Sequence, residues 1–128
     1  MTKQVIVMRC KYPDGKGGTT GLRKGKMIAQ ACHASMAFIT RRLDKNEPIT
    51  QVQKDWLDNS FTKICVGVDT EQELLDVAEK AKKMNVECHV ITDNGKTEFG
   101  GIPTKTCLAL GPDLSEKIDE VTGDLKLL

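Results

Sequence analysis

Apolar and polar residues change rhythm several times along the chain, and each change marks an element. Residues 3–9, KQVIVMR, form a short β-branched apolar run that predicts a strand. Residues 10–25 carry Pro13 and five glycines and read as a loop, long enough to suggest a functional role. From residue 24 or 25 to about 43 the rhythm is helical. Met27, Ala31, Ala34 and Phe38 recur at i, i+4, i+7 and i+11, and Ile28, Cys32, Ser35 and Ile39 extend that face. Asn46-Glu47-Pro48 interrupts the pattern. Residues 49–59, ITQVQKDWLDN, predict a short second helix with Trp56 and Leu57 turned inward. FTKICVGVD (61–69) is a strand. TEQELLDVAEKAKKM (70–84) is the clearest helix: Thr70 can cap it, Glu73 follows three residues on, and Leu74, Val77, Ala78 and Ala81 line one side. VECHVITD (86–93) and KTCLALGP (105–112) are strands, DLSEKIDEVTG (113–123) is a closing helix ended by Gly123, and DLKLL is a tail.

The predicted order is β-α-α-β-α-β-β-α. Strands alternating with helices imply an α/β layered fold, with a four-stranded mixed sheet flanked by helices. At 128 residues, without an internal repeat or linker, the chain reads as one domain over residues 1–128.

Composition changes this picture little, but charge changes it a great deal. The formal net charge is only +1. Residues 1–45, however, hold ten basic and two acidic side chains, and the remainder holds nine basic and sixteen acidic. Such sorting suggests a face that meets a polyanion. No stretch approaches the ~18 consecutive apolar residues of a membrane span. The N-terminal apolar run is short for a signal peptide and is interrupted by Arg9, so a cytoplasmic protein is expected. Five scattered cysteines without a C-x-x-C pair fit reduced thiols, those within strands acting as small buried hydrophobes. Two histidines far apart do not cluster with them, so no metal site is expected.

Two stretches could carry chemistry. In GLRKGKMIAQACHASM (21–36), Lys26, Gln30 and His33 fall at i, i+4 and i+7 and share one helix face. Arg23, Lys24 and Lys26 crowd the helix start. Cations there oppose the helix dipole by ~0.3–1 kcal/mol each, so the arrangement calls for an anion. The spacing is not that of a P-loop. Cys32 and His33 point ~100° apart on a helix and cannot readily form a nucleophile pair. In ITDNGKTEFGG (91–101), Asp93 ends an apolar strand and Thr97 follows a turn, where α/β proteins place ligands. Asp-Asn-Gly is equally ordinary turn chemistry. His89, alternating within a strand, is expected to be packed or paired.

The segments RKGKMIAQACHASM, TDNGKTE and IDEVTGDLKLL, in this order, resemble the peptidyl-tRNA hydrolase family of the second type, widespread in archaea and eukaryotes. The resemblance spans essentially the whole chain. It implies hydrolysis of the ester between a peptide, or an N-blocked aminoacyl group, and tRNA, without a metal or organic cofactor, by a homodimer whose partner is tRNA. It implies catalytic roles for Lys26, Gln30, His33, Asp93 and Thr97, and a site role for Thr106. The basic residues Lys16, Arg23, Lys24 and Lys96 are expected to grip the substrate. A non-catalytic RNA-binding domain and a hydrolase of another aminoacyl-tRNA ester are the alternatives. The chain departs from the family's pattern in a longer loop before the first helix, in EFGGIPTKT after Thr97, and in Asp124 where a histidine is common.

Overall fold

The computed structural model describes residues 1–96 and 99–128. β1 (Thr2–Arg9), β4 (Lys63–Val68), β5 (Cys88–Asp93), β6 (Thr104–Leu114) and β7 (Lys126–Leu127) form one sheet, in the order β5-β6-β1-β4-β7. β1 and β4 run parallel; β6 is antiparallel to both β1 and β5, and β7 is antiparallel to β4. The α/β class and the mixed sheet are as expected, but the sheet has five strands, because the tail adds β7. Two exposed residues, Lys126 and Leu127, carry no alternation that could announce a strand. The expected loop also contains a small ribbon, β2 (Tyr12–Pro13) against β3 (Thr19–Thr20).

Strand alternation sorts the core into two layers. Val5 and Val7 of β1 and Leu108 and Leu110 of β6 point to one face. There they meet Leu74, Val77 and Ala81 of α3 (Glu71–Lys83) and Ile118 and Val121 of α4 (Ser115–Thr122). Ile6, Met8, Cys107 and Ala109 point to the other face, against Met27, Ala31 and Ala34 of α1 (Lys24–Lys45). α2 (Gln51–Asp58) completes this second layer: Trp56 packs edge-on to Phe38, ring centroids 6.0 Å apart, and its indole N–H donates to the Thr62 carbonyl at 2.8 Å.

Helix ends follow their local chemistry. Thr70 accepts the Glu73 N–H and Thr50 accepts the Gln53 N–H, while the Gln53 side chain returns a bond to the Thr50 N–H. α1 ends at Asn46 in the left-handed region, φ 55°. The Asn46 N–H bonds Leu43 O and the Glu47 N–H bonds Arg42 O, the paired closure that satisfies the last carbonyls. Gly123 closes α4 in right-handed geometry, so that helix needed no left-handed stop.

α1 buries the expected row, with Ala34 and Phe38 buried and Met27 and Ala31 packed against the core, but not all of the extension proposed for it. Gln30, Ala34, Ala37 and Phe38 are buried, whereas Ile28 is 64% and Met36 57% exposed and Cys32 is exposed. Among the strand cysteines Cys107 is buried and Cys88 half-buried, but Cys65 is exposed. Among the described residues, no helix is long and apolar enough to cross a membrane.

Candidate active site

The C-terminal ends of β1, β4 and β5 lie at the same end of the sheet as the start of β6, since Asp93 pairs with Thr104 across the β5–β6 ladder. On β5, Ile91 packs toward α1, and Asp93, two residues on, faces the same helix. Lys26 Nζ donates to Asp93 Oδ1 at 3.0 Å, and Gln30 Nε2 donates to the same oxygen at 3.2 Å. Oδ2 accepts the Gly95 N–H at 2.9 Å. Gly95 has φ 81°, and a Cβ there would collide with the Ile102 backbone, so the turn that delivers this N–H requires glycine.

The pair is nearly dry, with side-chain exposures of 15% for Lys26 and 10% for Asp93. Burial by itself pushes the Asp93 carboxyl upward. The Lys26 hydrogen bond, the Gly95 N–H, the Lys26 charge and the Gln30 amide together outweigh it and hold the group below its ordinary 3.8. Asp93 is therefore a carboxylate throughout the neutral range.

Thr106 reaches this cluster through a break in register. Ile91 pairs with Cys107 but Thr92 pairs with Lys105, so β6 carries one extra residue at Thr106. Strict alternation would send Thr106 to the α3 face with Leu108. The bulge turns it to α1 instead, where its hydroxyl donates to Gln30 Oε1 at 2.6 Å. Thr106 is fully buried, so it braces Gln30 from beneath rather than lining the surface where a substrate would sit, as the sequence suggested. The Cys107 thiol donates to the Gln30 carbonyl at 3.3 Å and ties the same turn of α1 to β6.

The other expected residues are more dispersed. His33 is exposed on α1, ~10 Å along the axis from Lys26, and is not drawn into the buried Lys26–Gln30–Asp93 cluster. Arg23 caps the start of α1 in extended geometry, Lys24 opens the helix, and both are exposed. Lys16 is exposed at the ribbon turn, where its N–H bonds Asp14 Oδ1 at 2.7 Å; Lys96 is exposed beside Asn94. Thr97 lies outside the described residues. His89 is paired as expected: Nε2 meets Glu87 Oε2 at 2.6 Å and Nδ1 meets Arg41 Nη1 at 2.8 Å.

Sequence reasoning missed Arg9. Only 7% exposed, it donates to the Lys11 and Lys105 carbonyls and lies 4.3 Å from the Tyr12 ring centroid. It thereby joins β1, the ribbon and β6. Its one signal was a cation at the last position of an apolar strand entering a glycine-rich loop. Beside it opens a cleft of about 500 Å³ between the ribbon and residues 99–105. A larger cavity of about 640 Å³, reached by Thr50, Lys82 and Lys117, sits by the starting residues of β5 and none of the expected site residues lines it. No three His, Cys, Asp or Glu side chains group to hold a metal among the described residues.

This cluster joins a lysine, a carboxylate and an amide from one helix and one strand end, and three motifs had already linked them to one family. The family model described as peptidyl-tRNA hydrolase PTH2 matches residues 2–128. The chain belongs to this family. It is 37% identical over 126 residues to the peptidyl-tRNA hydrolase of Methanocaldococcus jannaschii, covering 98% of this chain and 99% of that one. Identity with the peptidyl-tRNA hydrolase of Methanothermobacter thermautotrophicus is 39% over 126 residues, with the same coverage. The probable peptidyl-tRNA hydrolase 2 of Dictyostelium discoideum is 35% identical over 98% of this chain, which spans 54% of that longer protein. The glycine-rich loop before the first helix is the segment that folds into the β2–β3 ribbon.

Proposed function

We propose that the chain hydrolyses the ester joining a peptide to the terminal ribose of tRNA, freeing the tRNA for reuse in translation. The observation that carries this reading is the dry Lys26–Asp93–Gln30 cluster at the strand ends, in a chain that matches the family over its length. Asp93 orients a water and draws off its proton as the water oxygen attacks the ester carbonyl carbon. Because the Asp93 carboxylate is a weak base, its main contribution is orientation, with Thr97 as a hydroxyl partner. The Lys26 ammonium keeps Asp93 ionised and stabilises the developing oxyanion. Collapse breaks the bond to the ribose oxygen, which takes up the proton held by Asp93 and leaves as the tRNA hydroxyl, restoring the carboxylate. Gln30 fixes Asp93, and His33, at the exposed edge, positions the ribose end. Lys16, Arg23, Lys24 and Lys96 contact phosphates.

The reaction is expected to proceed without a metal, in the cytoplasm, by a homodimer. The exposed apolar stripe of α1, with Met36 57% and Leu43 73% exposed, supports α1 as the surface between copies. The deciding experiment measures release of N-acetylaminoacyl groups from tRNA, with and without EDTA, by the native protein and by Lys26→Met and Asp93→Asn. EDTA-insensitive release that falls at least ~10-fold in each folded variant is the expected result. Native rates in both variants would sink the assignment.

A further inference from the structure

The cleft beside Arg9 adjoins the reaction centre, because Thr104 lines it and is also the register partner of Asp93. One wall is the β2–β3 ribbon, where Tyr12 is 3% exposed. The other is the segment 99–105. Phe99 lies on Tyr12 with ring centroids 5.2 Å apart, and Ile102 is 67% exposed at the rim. The cleft is about 500 Å³, room for a side chain and its flanking backbone.

Its charges are already matched internally. The two cations in its lining, Arg9 and Lys105, stand 3.9 Å and 4.0 Å from the carboxylate oxygens of Glu71. Asp14 accepts the Lys16 and Gly18 N–H groups at 2.7 Å and 3.0 Å. The lining therefore carries no excess positive charge, and a phosphate would meet two carboxylates. The exposed cations Lys16, Arg23, Lys24 and Lys96 do not line the cleft. A cleft of balanced charge that is polar along much of its lining but offers Phe99 and Ile102 on one wall suits the neutral half of the substrate, whereas the basic surface suits the polyanionic half.

Resting on the hydrolase reading above, we propose that this cleft seats the acyl residue of the substrate, the amino acid whose carboxyl carbon is attacked, and that it favours a large apolar or aromatic side chain packed on Phe99 and Ile102. The test uses one tRNA charged in turn with N-acetylphenylalanine, N-acetylleucine and N-acetylglycine. It is run beside calorimetric binding of the matching N-acetylphenylalanyl and N-acetylglycyl amides of 3′-aminoadenosine, which cannot undergo ester hydrolysis. The native protein is expected to favour the phenylalanyl ester over the glycyl ester by about 10-fold or more in kcat/KM, the scale on which an apolar pocket discriminates. Phe99→Ala, and Ile102→Ser at the exposed rim, are expected to bring that ratio toward one.

Equal release of all three esters would overturn the cleft assignment and leave the hydrolase reading standing. No release of any ester, with the phenylalanyl amide still binding the tighter, would overturn the hydrolase reading and support the cleft. A loss of affinity for uncharged tRNA in Phe99→Ala would overturn the cleft assignment in another way, by giving the cleft to the terminal adenosine.

Discussion

Thr106→Val separates the bracing of the site from its chemistry. Asp93, as a carboxylate, can only accept hydrogen bonds, so the Gln30 amide must turn its NH2 toward it. That leaves Gln30 Oε1 facing Thr106, whose hydroxyl must then donate, at 2.6 Å. Gln30 is 2% and Thr106 0% exposed, so water does not readily replace either partner. Valine keeps the shape of threonine and removes the donor, which strands a buried acceptor at a cost of about 1–3 kcal/mol. For a domain of this size each kcal/mol lowers Tm by roughly 3–5 °C. An amide no longer pinned holds Asp93 less well. If the lost positioning is worth ~1.4 kcal/mol at the transition state, turnover falls about tenfold. Adding Gln30→Met removes the stranded acceptor, so the double variant should regain most of the lost Tm. It should not regain turnover, because Asp93 has then lost the amide altogether. Thermal unfolding by circular dichroism and kcat on an N-acetylaminoacyl-tRNA read the two effects separately. Native Tm and native kcat in Thr106→Val would refute the reasoning, as would a double variant that recovers both.

Three further outcomes are expected. Alanine at Lys16, Lys24 or Lys96 should weaken tRNA binding and flatten the salt dependence, by about 0.7–0.9 in the slope of log K against log salt for each phosphate no longer neutralised; a filter-binding titration at several salt concentrations reads this, and unchanged slopes would count against these phosphate assignments. Burial pushes the Glu87 carboxyl up, but hydrogen bonds from Arg42 and His89 and their charges bring it from 4.5 down to about 2. The unfolded chain therefore binds that proton more readily. Glu87 stabilises the fold fully above about pH 4.5 and progressively less as pH falls toward 2. Urea midpoints between pH 2 and 7 should show Glu87→Gln less stable at neutrality and less acid-sensitive in that window; parallel curves would contradict it. Met36→Glu should convert a dimer to a monomer in light scattering, and a mass unchanged from the native protein would remove α1 as the surface between copies.

The elements were legible because their signals are local. β-branched runs bounded by Gly and Pro, a threonine cap before α3 and a 3.6-residue rhythm act within a few residues of chain. The Lys26–Gln30 spacing on a helix and Asp93 at a strand end were legible for the same reason, and the motif order tied them to one family. How far the buried side of α1 extends was not, because small and apolar residues flank the Met27–Ala31–Ala34–Phe38 row, and only docking against the sheet buries Ala37 and leaves Ile28 and Cys32 exposed. β7 escaped notice because two residues cannot show a period; its pairing is supplied by Val66 and Gly67 of β4.

The sequence by itself therefore determined the layered α/β architecture, the apolar runs that become β1 and β6, and the helix face that carries Lys26 and Gln30. Tertiary structure alone decided three things. The β6 bulge turns Thr106 beneath Gln30, the Tyr12–Phe99 contact joins the ribbon to the 99–105 segment, and the buried Arg9 ties β1 to both. The physical reason is the range of the forces involved. Periodicity, capping and turn chemistry act between near neighbours in the chain and can be read in order. A one-residue slip between β5 and β6, or a cation closing against backbone 96 positions away, depends on register and packing that no local stretch encodes.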